Sequence, residues 1–147
     1  MEELFELREH IERGRYEEAL ALVGEMEEMS RDDKINKIGS YAEVLLLHLI
    51  KRTVEKRSTR SWDLSEWNAA YHIRRLNRMR KSGGAYLNDL ELMETISEAF
   101  PPALRRAAVE ALDGRHTGSE LGKMFDREQM VLLALDSIKN FQPDGDD

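Results

Sequence analysis

The chain has 147 residues, 41% of them hydrophobic and 35% charged, with nine Gly and only three Pro. That mixture favours helices and excludes a β-sandwich, a collagen-like chain or a disordered polymer. There is no Cys, so disulfides, thiolate zinc sites, iron–sulfur clusters and cysteine nucleophiles are excluded. One domain with a real core fits this length; two would be thin.

The chain starts MEELFELREH, with acidic residues where a secretory signal needs a basic start and an apolar run. Its longest apolar stretch, Val44 to Ile50, is far below the roughly 20 residues of a spanning helix. The expectation is a cytoplasmic protein with no membrane partner, ending in an acidic frayed tail over 143–147.

Net charge is −7, unevenly distributed. Residues 1–50 carry thirteen acidic and six basic side chains, and residues 82–147 repeat those numbers. Residues 51–81 carry ten basic and three acidic, a local +7. An acidic protein thus holds a concentrated basic middle that its overall charge conceals.

The first helix is expected from Glu2 to about Glu12, with Leu4, Leu7 and Ile11 at helical spacing and Gly14 as the stop. From Tyr16 the pattern resumes through Ala19, Leu20, Val23 and Met26. Ser30 to Asp33 reads as a new start, a hydroxyl cap followed by acids. The helix it opens is expected to reach Arg57, with Ile35, Ile38, Ala42, Leu45 and Leu49 inward. Around Val44–Ile50 every face is apolar, which marks the centre of the core. Gly39 is read as a site of close helix approach. Residues 58–63 are expected as a loop, with Asp63 or Ser65 capping a third helix to about Lys81 that Ser82 to Gly84 ends. A fourth helix, Leu87 to Phe100, is expected to break at Pro101-Pro102. A further helix covers Ala103–Leu112 and ends at Gly114. Thr117 and Glu120 have capping-box spacing and open a last helical region to about Asn140. No alternating strand and no fixed repeat is found. The fold class is all-α: a single-domain helical bundle over 1–142, about five helices in an up-and-down core with an additional C-terminal helix.

Three motif-like stretches do not carry chemistry. GRYEEALAL from Gly14 resembles one tetratricopeptide helix, but it occurs once where stacking needs about three copies. GSELGKM from Gly118 lacks the spacing, the Ser or Thr, and the strand of a phosphate-binding loop. The histidines His10, His48, His72 and His116 form no helical ligand pair, and Glu91, Glu94 and Glu98 share a face without one. No metal or cofactor is expected.

Two places do invite function. His48 is the one ionisable side chain in the apolar run, on a face that continues to Arg52 and Glu55. It is read either as a buried neutral imidazole hydrogen-bonded to a backbone carbonyl or a neighbouring helix, or as a general acid/base at a basic cleft. The second place is the cluster Arg57, Ser58, Thr59, Arg60, Ser61 and Trp62, where guanidinium forks, hydroxyl donors and a stacking face coincide. On the third helix, Ala69, Ile73 and Leu76 fall on one side, and Trp67, Tyr71, Arg74 and Arg78 on the other. Such an aromatic–arginine ridge suits single-stranded nucleic acid or a protein interface. Alternatively, the acidic flanks fold over it and neutralise it.

The succession GRYEEALALVGEMEEM, VLLLHLIK, EKRSTRSW resembles the bacterial domain-of-unknown-function family 29. The matching positions are Gly14, Arg15, Tyr16, Glu27, Glu28, Met29, Leu45, His48, Leu49, Lys51, Arg57, Ser58, Arg60, Ser61 and Trp62. Arg52 departs from the family's aromatic, and residues after about 115 lie outside the likeness. The resemblance implies a compact helical bundle, singles out His48, Lys51, Arg57, Arg60 and Trp62, and implies no reaction.

The functional expectation is an interaction module, binding a protein partner or a second copy through Lys51, Arg57, Ser58, Arg60, Ser61, Trp62, Trp67, Tyr71, Arg74 and Arg78. The alternative is nucleic-acid binding, extended to a metal-independent ribonuclease that uses His48 with Arg57 and Arg60.

Overall fold

The structure, a computed structural model, describes residues 2–78 and 84–143. The expected helix stop at Ser82 and Gly83, the basic residues Arg80 and Lys81, and most of the acidic tail lie outside them. The described residues form six α-helices and one 3₁₀ turn: α1 (Glu2–Glu12), α2 (Tyr16–Glu55), α3 (Arg60–Asn77), α4 (Asp89–Glu110), η1 (Ala111–Gly114), α5 (Gly118–Gly122) and α6 (Arg127–Lys139). Among these residues the only extended pairing is a single bridge between Arg78 and Ala85, so the protein is all-α. No described helix is long and apolar enough to cross a membrane.

Contacts divide the chain between Ile35 and Asn36 into two compact units. In the N-terminal unit, α1 ends where expected. Gly14 takes φ +71°, its N–H bonds the Ile11 carbonyl at 3.1 Å, and the Arg15 N–H bonds the His10 carbonyl at 2.8 Å. This is a left-handed glycine stop in which the following N–H reaches back across the last turn. The expected start at Ser30 is absent, because α2 runs through it for 40 residues. Ser30, Asp32 and Asp33 have the chemistry of a cap, but no Pro or Gly before them obliges the backbone to leave the helix. Their side chains stay exposed on the continuing helix.

The second unit is built around the apolar end of α2. Ile38, Ala42, Leu45, Leu46, Leu47 and Ile50 are all but inaccessible to solvent, as the sequence leads one to expect. The core continues through Ala69, Ala70 and Ile73 of α3, Ile96 and Phe100 of α4, and Ala134 and Ile138 of α6. α4 packs against α5 and α6, and α3 against α6. At Gly39 an added Cβ would meet Thr95 Cγ2 at an ordinary 3.9 Å, so no close approach demands that glycine. Asn77 closes the end of α3: its side chain both donates to the Leu87 carbonyl (3.1 Å) and accepts from the Leu87 N–H (2.8 Å).

Pro101-Pro102 does not break the chain into two helices. α4 passes through both prolines. Each missing N–H frees a carbonyl four residues earlier, at Ser97 and Glu98. Arg127 Nη2 donates to the Ser97 carbonyl at 3.3 Å, and its guanidinium lies 4.6 Å from the Phe100 ring centroid. An arginine 30 residues downstream thus replaces the lost intrahelical donor. The last expected helix is instead two, α5 and α6. Thr117 and Glu120 form the anticipated capping box, and Asp126 caps α6. Between them Phe125 packs edge-on against Phe100 at 6.0 Å.

Arg127→Ala should therefore lower unfolding free energy by about 1–2 kcal/mol, the sum of one hydrogen bond and one cation–π contact. Arg127→Lys should recover only part of it. Urea midpoints of the three proteins check this.

Candidate functional site

The stretch from Arg57 to Trp62 is a helix cap rather than a loop. Lys56 turns the chain with φ +55° after α2 ends. Thr59, not Asp63 or Ser65, caps α3: its hydroxyl accepts the Trp62 N–H at 3.0 Å. Ser58 Oγ donates to Asp63 Oδ1 at 2.6 Å. Several hydroxyls stand in this stretch, and spacing alone does not rank them. Two of the groups expected to greet an anion are thus engaged in starting the helix, while Arg60 and Ser61 stand exposed in its first turn.

Trp62 is the centre of the arrangement. Its ring lies 4.6 Å from Lys51 Nζ and 4.7 Å from the Arg57 guanidinium carbon, so two cations flank one indole. Lys51 is only 7% exposed. Its ammonium donates to Glu110 Oε1 at 3.0 Å, joining the end of α2 to the end of α4. Arg57 pairs with Glu55 Oε1 at 2.8 Å. Glu55 Oε2 accepts the N–H of Leu112 at 2.9 Å. That N–H belongs to η1, where Leu112 and Asp113 take φ +51° and +58°, a conformation L-residues adopt only at some cost. The Leu112 N–H, with the Arg57 guanidinium, holds the Glu55 carboxyl below its ordinary range.

His48 sits 6.4 Å from Trp62, ring to ring. Burial, and then the Lys51 ammonium, push its imidazole below the ordinary histidine value, with Arg106 acting the same way against Glu110. Its buried Nδ1 has no hydrogen-bond partner. Its charged form is thereby disfavoured, and among the described residues no carboxylate hydrogen-bonds the ring to orient it as a general base would require. The residue is half-buried, and Nδ1 does not make the hydrogen bond that a satisfied core imidazole would make among the described residues.

The ridge on α3 is partly covered: Trp67 and Tyr71 are half-buried, while Arg74 is exposed. Trp67 and Tyr71 stack at 5.3 Å, and Phe141 packs on both, at 5.2 and 6.2 Å. Trp67 Nε1 donates to the Gln142 carbonyl at 3.2 Å. Arg74 Nη1 donates to the carbonyls of Ile138 (2.8 Å) and Lys139 (3.2 Å), closing the C-terminal end of α6. A helix end supplies unpaired carbonyls with partial negative charge, which a guanidinium satisfies. The expected neutralisation thus comes from main-chain oxygens rather than from acidic side chains. Arg78 stays exposed. With Arg75, whose Nη1 reaches the Tyr71 hydroxyl at 3.4 Å, it lines an open groove of about 1090 Å³ bordered by Leu87, Leu90 and Ile138. His48 and Trp62 do not line that groove.

The structure thus gathers His48, Lys51, Arg57 and Trp62 in one cluster and Trp67, Tyr71, Arg74 and Arg78 in another. Sequence reasoning missed Glu110 and Phe141, which stand 59 and 67 or more positions from their partners and carry no motif. It also missed Glu66. That carboxylate accepts from Arg52 Nη2 at 2.9 Å, while Arg52 also holds Asp63 at 2.8 Å. Its other oxygen is buried without a partner. Burial raises the Glu66 carboxyl to about 7, with the neighbouring Asp63 charge adding to the effect and Arg52 opposing it. Among the described residues no three His, Asp or Glu side chains converge as a metal site would need. Compared with protein-family models, curated proteins and solved structures, the chain matches none.

Glu66 gives a signed prediction. Between its ordinary value near 4.5 and its folded value of about 7, the folded chain holds a proton that the unfolded chain has lost. Stability from this group is full at low pH and falls as pH rises through that window. His48, depressed in the fold, acts in the opposite sense. The test is therefore the difference between wild type and Glu66→Gln. The variant should gain roughly 1–3 kcal/mol relative to wild type between pH 5 and pH 8 in urea titrations.

Proposed function

We propose that the chain is a protein-interaction module, and that its binding surface is the apolar face of the N-terminal unit rather than the basic middle segment. The observation that carries this is α1. None of its eleven residues is buried. Leu4 is 51% exposed, Phe5 67% and Ile11 50%, and nearby on α2 Tyr16 is 63% and Leu20 72% exposed. An isolated helix of that length is marginal in water, and clustered large apolar side chains on a surface mark a contact site. The basic middle supports this reading by its occupancy. Lys51, Arg52, Arg57 and Arg74 all have internal partners. We also propose kinship with the bacterial domain-of-unknown-function family 29, supported by the meeting of His48, Lys51, Arg57 and Trp62 in one cluster. That kinship adds no reaction.

In the free protein the α1 amides should exchange with solvent at least about a thousandfold faster than those of Leu45–Ile50, since local opening there exposes nothing buried. Phe5→Ser with Leu20→Ser should leave the urea midpoint unchanged within about 0.5 kcal/mol. Core-like protection of α1 in the isolated chain, or a large loss of stability, would mean that this face is already covered.

A second reading, nucleic-acid binding, is favoured by Arg75 and Arg78 at the open groove and Arg60 on the surface, none of which enters an ion pair among the described residues. It predicts binding of labelled single-stranded RNA at about 50 mM salt, weakening steeply with added salt and lost in Arg75→Glu with Arg78→Glu. Absence of any shift in a gel or anisotropy titration at low salt excludes it. The ribonuclease extension requires activity that His48→Ala abolishes in a folded protein.

A further inference from the structure

We propose that the occupant of the N-terminal face is a cationic amphipathic helix belonging to another protein. This rests on the interaction reading above and names the partner's chemistry. Two observations carry it. The first is the periodicity of the uncovered side chains. Leu4 and Ile11, with Leu7 between them, lie at steps of three and four on one face of α1. Tyr16 and Leu20 lie one turn apart on α2. Apolar anchors spaced by helical turns fit a partner whose own anchors recur at the same interval.

The second is charge. Residues 1–35 carry twelve acidic and five basic side chains, a net of −7. Arg8 pairs with Glu12 at 2.7 Å and Arg13 with Glu9 at 3.2 Å, and Arg31 and Lys34 also have interactions of their own. Glu17, Glu18, Glu25, Glu27 and Glu28 are exposed and enter no ion pair among the described residues. Exposed apolar side chains on a unit of net −7 disfavour a second copy of itself, which would set −7 against −7. They suit a helix with Lys or Arg flanking its apolar side, since complementary charge steers encounter and suppresses wrong partners.

The test uses the full chain and three labelled synthetic peptides of about 18 residues, long enough for an amphipathic helix. One places Leu at helical spacing with Lys elsewhere, one scrambles the same residues, and one replaces Lys by Glu. The Leu/Lys helix should bind at least tenfold tighter than the scramble, and the Leu/Glu helix should not bind. Affinity should fall several-fold between about 50 and 300 mM salt. Leu4→Ser with Leu20→Ser should cost at least tenfold while circular dichroism is unchanged, and Arg75→Glu in the second unit should cost nothing. Equal binding of the scramble, or full binding by the double variant, overturns the proposal. A dimer in sedimentation equilibrium that the double variant abolishes also overturns it, while leaving the interaction reading intact. A monomer that binds none of the peptides overturns this partner; if a photo-crosslinker at Phe5 also gives no adduct in cells making the protein, the interaction reading falls with it.

Discussion

Everything in the second unit follows from an ammonium group taken out of water. α2 is largely apolar from Val44 to Ile50, with His48 its one ionisable side chain there, and the next residue is Lys51. Helical winding leaves that side chain inside the packed end of the bundle. A charge there is tolerated only with a partner and a polarisable surface around it. Glu110 supplies the first and the Trp62 ring the second. Both requirements fix geometry. Glu110 places the end of α4 beside the end of α2, and Trp62 places the first turn of α3 across it. Arg57 lies against the same indole and pairs with Glu55, whose second oxygen accepts the Leu112 N–H of η1. The left-handed turn at Leu112 and Asp113 is held by a carboxylate from a helix 57 residues earlier.

The same rule governs the rest of the basic middle. A guanidinium near a helix end meets free carbonyls, and Arg74 takes those of α6. A guanidinium near prolines meets carbonyls stripped of their donors, and Arg127 takes that of Ser97. Arg52 bridges two carboxylates, one of which is buried enough to resist ionisation. Positive charge in this protein is therefore largely structural, and a local excess of +7 in sequence does not become an equal excess on the surface.

How much of this was legible in the sequence depends on separation along the chain. Elements set by neighbours were readable: the Gly14 stop, the Thr117–Glu120 capping box, and the buried run to Ile50, each fixed by residues within a turn or two. Boundaries with competing local signals were not. Ser30 to Asp33 has the composition of a cap, and only the absence of a breaker upstream keeps α2 whole. Pro101-Pro102 has the composition of a break, and the Arg127 that satisfies the freed Ser97 carbonyl is invisible to any local window. The candidate site divides the same way. Its cations could be named, but Glu110 and Phe141 pair with α2 and α3 across more than fifty positions. The wheel of α3 put Trp67, Tyr71 and Arg74 on the outside because it could not include the segment that packs over them.

The contrast with the N-terminal unit supports placing the proposed binding surface there. In the second unit nearly every strong polar or aromatic group is answered by another, so a ligand there would have to displace an existing partner. Arg74 would lose two carbonyls, Lys51 its only carboxylate. Such exchange is costly, because the abandoned group stays buried and unsatisfied. In the N-terminal unit nothing need be displaced. Leu4, Phe5 and Leu20 meet water, Glu17 and Glu18 enter no ion pair among the described residues, and α1 lacks the burial that stabilises a short helix. Association there removes apolar surface from water and orders a marginal helix at once. The free energy of binding and the folding of α1 would then be one event, with an affinity set by how much of the gross contact is left after that ordering.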